Sequence, residues 1–73
     1  MPPIPVLSGQ DVIKAFQSLG WRVVRRKGSH VMMAKAGQNA TLSVPDHDEV
    51  GRGALRSLIR SADLTIDDFL AAL

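Results

Sequence analysis

The sequence contains no cysteine and no tyrosine, and among its 73 residues are only one tryptophan and two phenylalanines. Without cysteine, the chain forms neither a disulfide framework nor a cysteine-ligated zinc site. A hydrophobic core must therefore hold it together, and a chain of this length buries only about 60% of the surface that it exposes when unfolded. We expect one small domain spanning residues 1–73.

The sequence also lacks long apolar runs. No segment approaches the roughly 20 apolar residues that a membrane-spanning helix needs. The first seven residues have neither the basic start nor the long apolar segment of a signal peptide, and their three prolines predict a short extended arm over 1–7. Together with the absence of cysteine, these features predict a cytoplasmic protein without a membrane partner.

Acidic residues are missing from the whole stretch between Val12 and Pro45, although the net charge is only +2. Through Ala40 there are six basic residues and a single acid, Asp11, whereas six acids and three arginines follow from Thr41 onward. A basic first half predicts a polyanionic partner such as nucleic acid.

Three segments carry helix signals. The first helix is predicted over 9–19, with Ser8 as its N-cap and Gly20 as the left-handed residue that ends it. A second helix is predicted over about 52–62, and a short third helix follows the capping residue Thr65. The residues of the third helix that we expect to pack on the core are Ile66, Phe69, Leu70 and Leu73.

Three strands are predicted between the first two helices, over 21–26, 30–35 and 40–44. A turn formed by Lys27, Gly28 and Ser29 connects the first strand to the second, and a second turn leads to the third strand. The order predicts an α+β domain in which the helices pack on one face of a three-stranded antiparallel sheet. We expect Trp21 to lie in the core rather than to stack on a base.

His30 begins the second strand, directly after the turn Lys27-Gly28-Ser29. Successive side chains on a strand point to opposite faces, so His30 is separated from Val31. If the helices cover the Val31 side, His30 lies on the open face of the sheet. An imidazole there can accept or donate a proton near neutral pH. The structural alternative is an ordinary strand histidine after a hairpin turn.

Arg25, Arg26 and Lys27 precede this histidine and are candidates for holding a phosphate group, with Ser29 shaping or hydrogen-bonding the site. RNA supplies its own nucleophile, the 2′-hydroxyl, so a protein that cleaves RNA needs proton transfer and positive charge around the phosphate. Many small basic proteins would contain such a set, and a solvated surface is the alternative for all of these cations.

A second basic feature lies on the predicted second helix, where Arg52, Arg56 and Arg60 recur every four residues and therefore form one edge. This edge has two functional interpretations, contact with an RNA backbone and contact with an acidic protein. A solvated helix face is the alternative for any single arginine.

His47, the other histidine, lies in a predicted loop between Asp46 and Gly51. It is either a second proton-transfer group or, as we expect, a residue that caps the second helix. The two histidines fall in different elements and the sequence has no His-x-x-x-His pair. We therefore expect no metal site, no cofactor and no small-molecule ligand.

Nearly the whole chain from Ser8 onward resembles the HicA mRNA interferase toxins. The matching residues are Ser-Gly at 8–9, Val-Ile-Lys at 12–14, Leu-Gly-Trp at 19–21, Arg-Lys-Gly-Ser-His at 26–30, Val-Pro at 44–45, His47, Gly-Arg-Gly-Ala-Leu-Arg-Ser-Leu-Ile-Arg at 51–60, Leu-Thr at 64–65 and Asp-Phe-Leu at 68–70. The resemblance implies a double-stranded-RNA-binding-like fold, metal-independent mRNA cleavage that depends on the histidine matching His30, and inhibition by a cognate HicB-type antitoxin. The sequence departs from the family at Ala54, where threonine is common, and at Asp63, where glycine often follows the second helix.

These observations predict an endoribonuclease toxin of a toxin–antitoxin pair, with His30 as the general acid or base. Its expected partners are mRNA and the antitoxin. Two alternatives stay open at this level: a non-catalytic RNA-binding module, which needs the basic face but not the imidazole, and a pure protein-interaction domain that uses the arginine edge.

Overall fold

The computed structural model describes residues 4–73, and the elements follow the predicted order of helix, three strands and two helices. Within this part of the chain no helix is both long and apolar enough to cross a membrane. The third strand begins two residues later than predicted. The elements are α1 (Gly9–Ser18), β1 (Arg22–Lys27), β2 (His30–Ala34), β3 (Leu42–Pro45), α2 (Arg52–Ser61) and α3 (Ile66–Ala71).

The first and third helices begin with the side-chain caps that the sequence predicts. The Ser8 side chain accepts a hydrogen bond from the backbone N–H of Asp11, and Gly20 takes a left-handed φ of +97° after α1. At α3 the Thr65 hydroxyl accepts from the Asp68 N–H, while the Asp68 carboxylate accepts from the Thr65 N–H. This reciprocal pair is a capping box, so both predicted N-caps are confirmed.

The strands form an antiparallel sheet in the order β1-β2-β3. Between β1 and β2 the register shifts at a bulge, because Val23 pairs with Met33 while Arg25 pairs with Met32. Val24 is the additional residue. After the bulge the side chains of β1 therefore point to faces that simple alternation along the strand does not predict.

The core lies on one side of the sheet, where the helices pack. Phe16 of α1 contacts Trp21 edge to face, with the ring centroids 6.3 Å apart, and it also packs against Phe69 of α3. Trp21 is thus a core residue, as predicted. The expectation for Leu73 is wrong: α3 ends at Ala71, and Leu73 lies beyond the helix with 55% of its surface exposed. The sheet residues of the core are Val31, Met33, Leu42 and Val44.

Part of the predicted N-terminal arm packs on the domain. Residues 1–3 lie outside the described part of the chain, but Ile4 is buried and Leu7 forms an isolated β-bridge with Val50. The Arg52 side chain donates from Nε to the carbonyl oxygen of Ile4 at 2.9 Å. The segment before α1 is therefore held against the start of α2.

The first turn of α1 lies directly on the backbone that follows β3. A Cβ atom added at Gly9 would collide with the carbonyl oxygen of Pro45 and would come within 2.7 Å of the Asp46 Cα. The Gly9 N–H donates to the carbonyl oxygen of His47 at 2.8 Å. Only glycine permits this approach, because every other side chain would meet backbone atoms that cannot rotate away.

Asp46 joins three segments at this contact. Its Oδ2 accepts from Arg26 Nη1 of β1 at 2.8 Å, and its Oδ1 accepts from Gln10 Nε2 of α1 at 3.0 Å. Its backbone N–H donates to the carbonyl oxygen of Ser29 at 2.7 Å. The hydrogen bond from Arg26, followed by that from Gln10, lowers the pKa of the Asp46 carboxyl.

The turn between β1 and β2 contains two residues, Gly28 and Ser29. Gly28 has a φ of +60° and Ser29 does not have a positive φ, as in a type II′ hairpin turn. A Cβ atom at Gly28 would meet nothing within 4 Å. Glycine is therefore required here by backbone conformation and not by lack of space.

Replacement of Gly28 by alanine should lower the free energy of unfolding by about 1–2 kcal/mol, because an L-residue is strained in the left-handed region. Gly53→Ala is the matched control, since Gly53 also has open space around it but lies in α2. That change should stabilise the protein by up to about 1 kcal/mol. Urea denaturation measures both, and equal effects of the two changes would contradict the conformational requirement.

Arg26→Gln should make the free energy of unfolding less dependent on pH in acid. A carboxyl group whose pKa is lowered by folding contributes stability above its unfolded pKa, about 3.9, and this stability is lost as the pH falls through the folded pKa. Without Arg26 the main cause of the lowered Asp46 pKa is gone. The variant should therefore lose less of its free energy of unfolding than the wild type as the pH falls below about 5. Arg25→Gln, a change of the same kind on the neighbouring residue, should keep the wild-type dependence.

Candidate functional site

The hairpin turn places Lys27 and His30 directly opposite each other, at the end of the sheet. Side chains of paired residues point to the same face of an antiparallel sheet, with Cβ atoms about 4.5–5.5 Å apart. His30 in turn pairs with Pro45 on β3. Lys27, His30 and Pro45 therefore form one row across the open face.

The next row across the same face contains Arg25, Met32 and Ser43. Arg25 and Ser43 are exposed, and Met32 between them is half-buried. Arg22, which pairs with Ala34, adds a third cation farther along β1. The open face thus carries three cations and one imidazole around a strip of small or apolar surface, and the strand residues on it include no acid.

Arg26 lies apart from this face. It pairs with Val31, whose side chain is buried against the helices, so the Arg26 side chain leaves the sheet on the helix side. There it forms the ion pair with Asp46. The sequence alone does not distinguish Arg25 from Arg26 as a candidate phosphate ligand, but in the structure their side chains lie on opposite sides of the sheet.

Ser29 and His30 are both exposed where β2 begins. The carbonyl oxygen of Ser29 accepts from the Asp46 N–H, which connects the turn to the end of β3. Within residues 4–73, the His30 side chain forms neither an ion pair nor a hydrogen bond. No carboxylate orients the ring, so the site does not resemble a triad in which an acid holds the histidine.

The three arginines of α2 do not form one uniform edge. Arg52 is engaged by its hydrogen bond to the Ile4 carbonyl oxygen. Arg56 and Arg60 are exposed and line a cleft of about 290 Å³ between α2 and the start of α3. Because α2 packs on the covered side of the sheet, this cleft lies on the layer opposite His30.

His47 is an exposed loop residue, and the expectation that it caps the second helix is wrong. The N-cap of α2 is Gly51, and no side chain forms a hydrogen bond to this helix end. The backbone carbonyl of His47 instead accepts from Gly9 at the start of α1. The close contact at Gly9 explains the difference, because it brings this loop to the first helix.

Asp46 and Gln10 are the residues near the site that the sequence does not reveal. Asp46 reaches Arg26 and the Ser29 carbonyl only because Pro45 pairs with His30 and the chain continues from there. The β2–β3 register would identify this neighbour, but no short pattern in the sequence specifies it. Among the described residues, no three side chains from His, Asp or Glu lie together as metal ligands would.

Comparison with known proteins identifies the family. No curated protein matches the chain. A family model described as the HicA toxin of bacterial toxin–antitoxin systems matches residues 9–64, which extend from the start of α1 past the end of α2 and make up well over half of the chain. With its three-stranded open sheet and helices on one face, the chain belongs to the HicA toxin family.

Proposed function

We propose that this toxin is an endoribonuclease that cleaves mRNA on the open face of the sheet. The observation that carries the proposal is the row formed by Lys27 and His30, in which an exposed imidazole lies next to an ammonium group. Arg25 lies in the adjacent row on the same face. Proton transfer and phosphate binding are thereby combined on one solvent-accessible surface.

In the proposed reaction His30 takes the proton from a 2′-hydroxyl group, whose oxygen then attacks the adjacent phosphorus atom. The new bond joins the 2′-oxygen to phosphorus, and the bond from phosphorus to the 5′-oxygen breaks. The leaving 5′-oxygen takes up a proton from a water molecule, and the hydroxide so formed takes the proton from His30, which restores the neutral imidazole. Lys27 and Arg25 stabilise the extra negative charge of the transition state.

The half-buried Met32 lies between Arg25 and Ser43 on this face. A thioether side chain adapts its shape to irregular surfaces and makes favourable contacts with aromatic rings. We assign Met32 to the contact with a base, while the cations hold the backbone. Ser29 offers its hydroxyl from the turn as a hydrogen-bond donor to the phosphate.

The antitoxin, in this proposal, inhibits the toxin by covering the open face. A surface with Arg22, Arg25 and Lys27 and no acid among the strand residues around them attracts a negatively charged partner as readily as RNA. The antitoxin and mRNA would then compete for the same face.

A non-catalytic RNA-binding module is the second candidate, because no hydrogen bond from the described residues orients the His30 ring. Such a module would bind RNA through the same cations and would not use the imidazole. It predicts binding without cleavage, unaffected by removal of the His30 side chain.

His30→Ala should reduce the rate of RNA cleavage by about 10²- to 10⁴-fold, the usual contribution of a general acid or base. The melting temperature should stay within about 1 °C, because the side chain is exposed and surface substitutions change stability little. Cleavage of a labelled mRNA fragment and thermal denaturation measure these effects. Both assays are run with and without EDTA, and wild-type cleavage should survive the chelator.

His47→Ala is the matched control, since it removes the other exposed imidazole while leaving the His47 backbone contact to α1 intact. Cleavage by this variant should equal that of the wild type. A folded His30→Ala protein that cleaves normally would overturn the catalytic assignment, and unfolding of that variant would make His30 structural.

Lys27→Gln and Arg25→Gln should each weaken binding to single-stranded RNA and flatten its salt dependence. Loss of one phosphate contact lowers the slope of log K against log salt concentration by about 0.7 for single strands. The binding assay uses catalytically inactive His30→Ala protein over a range of salt. Lys14→Gln removes one positive charge from α1, on the helix side of the molecule, and should leave the slope unchanged. If this variant flattens the slope as much as Lys27→Gln does, the phosphate contacts do not lie on the open face.

A further inference from the structure

The cleft between α2 and α3 is a second charged surface, and the proposed cleavage reaction does not use it. Arg56 and Arg60 of α2 line one side, and Leu64, Thr65 and Ile66, which lead into α3, line the other. Leu64 and Ile66 are half-buried and pack against the core, so they make this second side partly apolar. Its volume of about 290 Å³ is below that of most small-molecule sites and suits one or two side chains.

The two arginines are without an acidic partner in residues 4–73, where the ion pair formed is that between Arg26 and Asp46. Like charges one helical turn apart repel each other, so their placement opposes folding slightly. Two acids lie near this cleft: Asp63 follows α2 and forms no ion pair within the described residues, and the Asp68 carboxylate accepts a hydrogen bond from the Thr65 N–H. An external anion would relieve this repulsion.

The form of the cleft favours a carboxylate over a phosphate backbone. The planar guanidinium group binds a carboxylate or a phosphate with two parallel hydrogen bonds, so the apolar part of the cleft decides between them. Beside the two arginines, Leu64 and Ile66 present apolar surface, which accommodates an aliphatic side chain and has no counterpart in a sugar–phosphate chain. In a polypeptide, an acidic residue next to an aliphatic residue could bind the arginines with its carboxylate and pack its aliphatic neighbour on Leu64 and Ile66.

The position of the cleft separates it from the RNA. His30, Lys27 and Arg25 lie on the open side of the sheet, whereas α2 and α3 pack on the other side. The molecule is about 18 Å thick along its shortest axis. RNA lying on the open face would have to bend around the edge of the sheet to reach Arg56 and Arg60.

We propose that the α2–α3 cleft binds an acidic residue and its aliphatic neighbour from the antitoxin, at a contact separate from the His30 face. This proposal rests on the proposed function only in that the antitoxin is the partner. The antitoxin thus holds the toxin at two places, one that blocks RNA and one that only adds affinity. Loss of the second contact weakens inhibition without changing the free toxin.

The test is the double variant Arg56→Glu/Arg60→Glu, assayed against the antitoxin encoded together with this chain. The dissociation constant for the purified antitoxin should rise about 10- to 100-fold, as for loss of charge pairs in a protein interface. RNA cleavage without antitoxin should match that of the wild type. Isothermal calorimetry, the cleavage assay and thermal denaturation are run on the same preparations.

Two further variants sharpen the result. Arg56→Lys/Arg60→Lys keeps the charge but removes the planar donors, so its antitoxin affinity should lie between that of the wild type and that of the double glutamate variant. It also keeps the test valid if charge reversal prevents folding. Lys14→Glu, a charge reversal on α1, should bind the antitoxin like the wild type.

The outcomes separate the two proposals. If both double variants bind the antitoxin as tightly as the wild type, the proposal for the cleft is overturned, and the cleavage proposal is unaffected. If the double variants lose RNA affinity together with antitoxin affinity, the cleft contacts RNA, and the proposal of a separate antitoxin contact is overturned. If the wild type cleaves no RNA but the double variants bind antitoxin more weakly, the cleavage proposal fails and the cleft stands.

Discussion

The close contact between the first turn of α1 and the backbone after β3 is the constraint on which the rest of the site depends. At Gly9 the two backbones meet without any side chain between them. This proximity brings Gln10 to Asp46, and Asp46 in turn binds Arg26 and the Ser29 carbonyl. The turn that precedes His30 is thus held from the covered side of the sheet. On the exposed side, no hydrogen bond or ion pair from residues 4–73 reaches the His30 side chain.

The two faces of the sheet differ in chemistry, one being apolar and covered and the other basic and exposed. One face carries the apolar side chains that a 73-residue chain must bury, and all the helices pack there. The cations on the other face keep their hydration, so they need no acidic partners to be tolerated. Arg26 is the instructive exception, because it emerges on the covered side and has an acid beside it. The paired charge thus connects β1 to the loop after β3, and the cations of the open face stay exposed to solvent.

Much of this fold is predictable from local signals in the sequence. Capping residues such as Ser8 and Thr65, apolar stripes and the turn before His30 are each set by neighbours within a few positions. The structure confirms them, except that Lys27, predicted in the turn, is the last residue of β1. The exposure of His30 follows from strand alternation and from the apolar residues beside it. These features require no knowledge of how distant segments meet.

The features that could not be predicted all depend on contacts between distant segments. Whether Arg25 or Arg26 points to the open face is decided by the bulge at Val24, and a strand sequence does not reveal which residue will be the extra one. The engagement of Arg52 depends on Ile4, and the place of His47 depends on Gly9. Asp63 is a local case: it adopts the left-handed conformation after α2, with a φ of +59°, so the chain turns there as it would with a glycine.

The bulge also affects how the molecule behaves in solution. β1 is an outer strand whose six residues are all exposed, including Val23 and Val24 at nearly half of their surface. Such an edge is a template on which another copy could add a strand and start aggregation. The bulge twists the edge, and the exposed cations of β1 would face the same cations in a second copy. Irregular geometry and repulsion therefore both disfavour the pairing of this edge with another copy.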